Sequence, residues 1–265
     1  PHLVKFGGRV RASHGVNGST ANFNGRFTFP AITTYKLTEQ GLQQGLTMAQ
    51  IRASGGGPNQ FTITSGTPRV VITTVDAGVF LQDDWKVRSN VTLSAGLRFE
   101  TQNNIPDHSD FAPRIGIAWS LGNKARPTVI RSGFGLFYQR FGEGNVLQLA
   151  RFDGVAQQQY IVASPNSYPT PPAAATLAGP QTSPTIYSLA PDFHSGYYMQ
   201  WVLTIERQLS KIANISMNSY GVRGVHRLSS SSVNAPIPGS ITAANPAGGS
   251  ALPRAGNICR YVSAS

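Results

Sequence analysis

The stretch Gly78–Glu100, GVFLQDDWKVRSNVTLSAGLRFE, decides how the chain is read. In its second half Val91, Leu93, Ala95, Leu97 and Phe99 alternate with Thr92, Ser94, Gly96, Arg98 and Glu100. Successive side chains of an extended chain point to opposite sides, so this period of two predicts a strand with one oily and one polar face. Val79 to Val87 is a second extended segment, and the short polar link Arg88-Ser89-Asn90 makes the two an antiparallel hairpin. Each arm runs about nine to eleven residues, the length a tilted strand needs to cross the hydrocarbon core of a bilayer.

Working outward, the same texture recurs. His2–Arg11 and Ala21–Phe29 read as another hairpin, joined by the Gly- and Ser-containing residues 12–20 and ended by Pro30. Leu37–Arg52 has a weak helical pattern, GGGP at 55–58 breaks it, and Gln60–Thr74 holds one or two strands interrupted by Pro68. Phe111–Leu121 sets Ile115, Ile117, Trp119 and Leu121 against Arg114, Gly116, Ala118 and Ser120. After a tight turn at 122–127, Thr128–Tyr138 sets Ile130, Phe134, Leu136 and Tyr138 against Arg131, Gly133 and Gly135. Tyr197–Leu209 and Ile215–Val222 form a last pair around the short turn SKIAN. The stretches 31–60, 139–191 and 229–265 read as loops, the last running to the end without a strand.

This gives about eight or nine strands in up-and-down order with no long helix. Long loops at one end and short turns at the other are the asymmetry of outer-membrane barrels, whose extracellular loops are the long ones. Phe80, Trp85, Phe99, Trp119, Tyr138, Tyr197 and Trp201 fall near predicted strand ends, where interfacial aromatics sit. The fold class is therefore all-β, an antiparallel up-and-down transmembrane barrel segment. On periodicity alone a soluble β-sandwich with ordinary core aromatics stays open.

Composition points the same way. Charged residues make up 12% of the 265, about half the ~25% usual in soluble domains, and polarity is carried by Gly, Ser, Thr, Asn and Gln. The net charge of +11 comes from scattered Lys and Arg, with no basic run or recognition motif, which argues against a nucleic-acid partner. One cysteine, Cys259, allows no internal disulfide. No apolar run approaches the ~18 residues of a membrane-spanning helix. The chain opens without Met or a signal peptide, and in mid-strand, so it reads as a piece of a longer protein.

Candidate chemistry is thin. Asp83 and Asp84 are adjacent on one strand and point to opposite faces, which excludes a carboxylate dyad; one of them is expected to pair with Arg98, Arg114 or Arg131. The five histidines lack metal-ligand spacing, although His108 and His194 could meet in space. Gly133 and Gly135 lack the continuation and helix of a nucleotide loop and instead let a bulky neighbour approach the wall. The expectation is no enzyme, no cofactor and no metal.

FLQDDWKVRSNVTLSAGLRFE resembles the "QDxW … LTL … GLRYE" signature in the barrel of TonB-dependent outer-membrane receptors. FAPRIGIAWSL, TVIRSGFGLFYQRF, YYMQWVLTIERQL and SYGVRGVHRL follow in the order found in the Oar-like branch. The positions that carry the resemblance are Gln82, Asp83, Trp85, Leu93, Gly96, Arg98, Pro113, Arg114, Gly116, Arg131, Gly133, Gly135, Tyr138, Arg207, Gly221 and Gly224. It implies residues 1–265 as a partial barrel, with plug, Ton box and C-terminal strands absent, drawn from a wall of about twenty-two strands. It implies the cell outer membrane, energised transport of a large, unknown substrate, contact with outer-membrane lipid, and coupling to the TonB complex through the missing N-terminal segments. A small stand-alone barrel serving as adhesin or structural protein, and a soluble secreted β-sheet binding module, remain as alternatives.

Overall fold

The computed structural model describes residues 1–123, 126–177, 185–210, 212–233, 235, 238–239 and 258–264. The turns over 122–127 and 210–214 and the 229–265 stretch fall partly outside these residues. In chain order the elements are β1 (His2–Gly18), β2 (Arg26–Thr28), α1 (Ile32–Gln43), α2 (Met48–Ala53), β3 (Gln60–Gly66) and β4 (Arg69–Arg88). Then come β5 (Val91–Gln102), β6 (Asp110–Leu121), β7 (Thr128–Tyr138), α3 (Glu143–Arg151), β8 (Gln157–Ala163) and α4 (Ala174–Leu177). β9 (Ile186–Leu189), β10 (Tyr197–Gln208), β11 (Asn214–Val225), β12 (Arg227–Ser232) and β13 (Ile258–Ala264) complete the order.

Seven long strands form one antiparallel wall in the order β1-β4-β5-β6-β7-β10-β11. Its register fixes the two faces. One row, Val4, Asp83, Ala95, Ile115, Phe134, Trp201 and Gly221, crosses all seven strands; the adjacent row, Lys5, Gln82, Gly96, Arg114, Gly135, Gln200 and Val222, lies on the other face. Because opposed residues of a ladder share a face, the first face gathers the large apolar side chains and the second the polar and small ones. The apolar face is bare. Phe6 is 83% exposed, Ile115 63% and Met217 57%, a burden no soluble sheet carries over so wide an area. Such a surface is stable when lipid covers it.

β1 and β11 are the free edges of the wall. Hydrocarbon does not tolerate unpaired backbone groups, so an open seven-stranded wall is consistent with a partial barrel rather than a closed one. The short β4–β5, β6–β7 and β10–β11 links lie at one end, and the β1–β4 and β7–β10 insertions at the other.

The sequence reading is corrected at five places. His2–Arg11 and Ala21–Phe29 do not form a hairpin: β1 continues to Gly18 and pairs along its whole length with β4. From Ala21–Phe29 only Arg26–Thr28 is a strand, and it joins β3 and β8. The 37–52 pattern is helical as read, but its extent changes: it is two helices that start earlier, at Ile32, with α2 opened by a Thr47–Gln50 capping box. Phe80 lies on the polar face beneath Arg98 and across from Gly7, and Trp201 lies within β10 rather than near its end, so neither belongs to an aromatic girdle. Finally, the last residues are not a bare loop, because β13 pairs with β12 and β9.

Folded cores stand outside the wall, built from the loop stretches. Phe61, Ile63 and Tyr160, with Phe27, Val162, Ala174 and Leu177 against them, hold the β2-β3-β8 sheet. Ile105, Phe141, Val146, Ala190 and Phe193 form a second core, with Ile72 of β4 and Tyr261 and Val262 of β13 packed on it. The second core joins α3 to the long-insertion end of the wall. The two insertions are therefore anchored caps rather than free loops.

Candidate functional site

The polar face carries cross-strand charge pairs. Lys5 Nζ donates to Asp84 Oδ2 at 2.8 Å, and Asp84 Oδ1 also accepts from Ser94 Oγ at 2.7 Å and Gln82 Nε2 at 3.1 Å. Arg131 donates to Glu206 at 2.7 Å, and, along β5 rather than across strands, Arg98 donates to Glu100 at 3.2 Å. Contrary to the expectation from sequence, neither Asp83 nor Asp84 pairs with Arg98, Arg114 or Arg131. Asp84 takes Lys5 from a strand 79 residues earlier, and Asp83, on the apolar face, takes His2 Nδ1 at 2.6 Å. His2 in turn stacks on Trp85 with ring centroids 5.3 Å apart.

Arg114 differs from Lys5, Arg98 and Arg131, which have carboxylate partners. Its guanidinium lies 4.3 Å from the Phe137 ring centroid, without a carboxylate among the described residues, and its Nε is buried without a hydrogen bond. The stack needs Gly135, where a Cβ would stand 3.0 Å from Arg114 Cγ and 3.2 Å from the Phe137 ring. Gly133, Gly135 and the surrounding Gln200, Tyr220 and Val222 leave a shallow recess of 270 Å³ in the wall. At Gly133, by contrast, a Cβ would meet only Ile115 O at 3.5 Å and Val202 Cγ1 at 3.6 Å, so the close approach of bulky side chains is confined to Gly135.

The remaining family-motif positions serve the wall. Gly96 lies between Gln82 and Arg114, and Gly116 between Ser94 and Gly133. Pro113, with no N–H to give, stands one residue before the first β6–β7 pair, Arg114–Gly135. Leu93 lies between Trp85 and Ile117 on the apolar face. Tyr138 and Tyr197 meet at 5.3 Å at the long-insertion end. Arg207, on the apolar face, lies opposite Thr128 and Ile215 beside the short turns. Gly221 lies under the Trp201 indole and Gly224 faces Tyr198. These sixteen positions are spread over six strands and do not converge on one site.

What converges lies at the mouth of the polar face, and the sequence reading missed it. Asp76 of β4 accepts from Arg140 at 2.9 Å and Arg9 at 3.4 Å, and Arg11 lies 3.9 Å from Glu143. Beside this chain of charges a hollow of 230 Å³ is lined by Gln102, Gln139, Arg140, Asn145, Ser195 and the Phe141 and Phe193 rings. Ser195 is 2% exposed. Asp107 clips the hollow's far wall: its carboxylate accepts from the Ser195 N–H at 2.9 Å and from the Ser109 hydroxyl at 2.8 Å, with His194 at 3.5 Å. Burial pushes the Asp107 carboxyl up, but these donors and the His194 ring outweigh it and hold it below the usual carboxylate range. His194 stacks on His226 at 5.4 Å, whereas His108 hydrogen-bonds Thr101, so His108 and His194 do not meet. The only advance signal was the run QRFGEGN after β7, whose polar residues carry no periodicity.

The sequence profile of the family described as outer membrane beta barrel domain matches residues 1–108 and 101–264. No protein of curated function matches the chain. Among solved structures, the outer membrane transporter YddB from Escherichia coli superposes with a TM-score of 0.56 at 14% identity, over 99% of this chain and 26% of that one. The siderophore receptor PirA from Pseudomonas aeruginosa gives 0.44 at 11% identity, over 78% of this chain and 32% of that one. The chain thus spans about a quarter to a third of these relatives.

Proposed function

Since the chain belongs to the outer membrane beta-barrel domain family and its place is the outer membrane, we propose that it forms wall and outer mouth of a TonB-dependent transporter of the Oar-like branch. The observation that carries the reading is the two-faced wall itself. Seven antiparallel strands present lipid with one apolar face, and the other face carries paired charges and glycine recesses suited to a wet, occupied lumen. A self-contained small barrel would have to close on itself, and here β1 and β11 stay unpaired. The soluble module has no use for the bare apolar face.

In this reading the 139–191 and 19–68 caps face outward and meet the substrate, and the wall supplies the conduit. Energy comes from the TonB complex through segments that precede the wall. The chain supplies binding and passage and carries out no bond chemistry.

The test is uptake by cells carrying the natural-length protein, with and without a functional TonB system. Substrate-dependent growth or accumulation that disappears in both the deletion and the TonB-deficient strain supports the reading. Recovery in the outer membrane with transport independent of TonB would leave a passive pore or an adhesin.

A further inference from the structure

We propose that the hollow at the mouth of the polar face is a binding site for a neutral, hydroxyl-rich ligand, of the class of an uncharged oligosaccharide. The inference rests on the transporter reading and names the ligand class of its outer mouth.

Charge comes first. Each cation at the mouth already has a carboxylate within 4 Å, Arg140 and Arg9 sharing Asp76 and Arg11 lying near Glu143. An anionic ligand would have to compete with these carboxylates for the guanidiniums, and a cationic one would meet three of them. The other polar groups of the hollow's lining are uncharged. The Gln139 and Asn145 side-chain amides make no hydrogen bond among the described residues, and Gln102 spends its Oε1 on the Phe141 N–H at 3.2 Å while keeping its amide donors. Ser195 Oγ is buried at the back of the hollow beside the buried Asp110 carboxyl.

Each of these amides and hydroxyls both gives and accepts, apart from the half-used Gln102, and a sugar hydroxyl does the same. The apolar lining is Phe141 and Phe193, held edge to face at 5.5 Å, with Leu228 beside them, enough to meet the C–H face of a ring. A peptide would instead call for a free strand edge or deep apolar side pockets. The backbone here is already spent, since the Gln139 N–H bonds Gly196 O at 2.7 Å. The volume of 230 Å³ admits a ring or two and leaves the rest of a chain outside.

The experiment is binding of the purified natural-length protein to an array of neutral oligosaccharides, with uncharged tetrapeptides as comparators. Gln139→Ala with Asn145→Ala is the test variant, and Gln139→Glu alone is the second, milder one. Folding is checked by recovery in the outer membrane and a heat-modifiable gel shift. The expected result is saturable binding of at least one oligosaccharide, weakened tenfold or more in the double variant and measurably in the single one, with both variants still folded. Binding of tetrapeptides alone, binding of no oligosaccharide, or sugar binding unchanged by both substitutions would overturn the proposal. The transporter reading survives any of these if TonB-dependent uptake persists; loss of that uptake with sugar binding intact would sink the transporter reading and leave the site.

Discussion

The Trp201 indole lies flat across Gly221 of the neighbouring strand, so that a Cβ at 221 would stand 2.7 Å from its Cζ2. The pair sits on the apolar face, where a glycine alone would leave a gap against lipid and the ring fills it. Gly221→Val should push the indole off its seat and cost about 1–3 kcal/mol by overpacking. The check is a denaturant titration in lipid, read from Trp fluorescence. A variant as stable as the parent, with an unmoved emission maximum, would contradict the contact.

The faces themselves give a sharper contrast. Ile117 and Ala118 are neighbours in β6 and point to opposite sides. Ile117→Lys should destabilise the wall by about 2–4 kcal/mol if the residue lies near the bilayer midplane. Ala118→Lys, facing the wet side next to Ser120, should change stability far less. Equal costs, measured as folding yield into vesicles, would remove the assignment.

How much of this was legible beforehand follows from where the information sits. β5, β6, β7, β10 and β11 were readable because alternation is local and unbroken, and the register between consecutive strands follows from their short links. β1 was cut short at Arg11 because ASHGVNG holds small and polar residues with weak strand preference, and only the ladder to β4 keeps them extended. The Lys5–Asp84 pair joins residues 79 apart, beyond any local pattern. The caps were read as loops for the same reason: Phe141 and Phe193 meet only when the insertion folds back on itself. The hollow was invisible because Gln102, Asn145 and Ser195 belong to three separate segments.

Arg131 and Glu206 are half-exposed at 51% and 36%, and water screens them despite the 2.7 Å contact. A double-mutant cycle with Arg131→Ala and Glu206→Ala should give a coupling of about 0.2–1 kcal/mol. A coupling several times larger would mean that this part of the polar face is dry.

Asp107 makes the loop clip sensitive to acid. A carboxyl whose pKa is lower in the folded state contributes stability that is present above the ordinary value of about 3.9 and is lost as pH falls through the lower folded value. The Ser195 amide should stay protected down to about pH 4 and open below it, after correction for intrinsic exchange. In Asp107→Asn the same amide should be less protected at pH 5 and show no further acid step. Protection unchanged between pH 5 and pH 3 in the parent would contradict the clip.

The most direct test of the two-faced wall is a spin-label scan of positions 91–100 in the natural-length protein, reconstituted in bilayers with Cys259→Ser as background. Labels at 91, 93, 95, 97 and 99 should be reached by lipid-soluble oxygen, and those at 92, 94, 96, 98 and 100 by a water-soluble relaxation agent. Loss of this alternation, with both sets equally open to the aqueous agent, would mean that β5 does not cross a membrane.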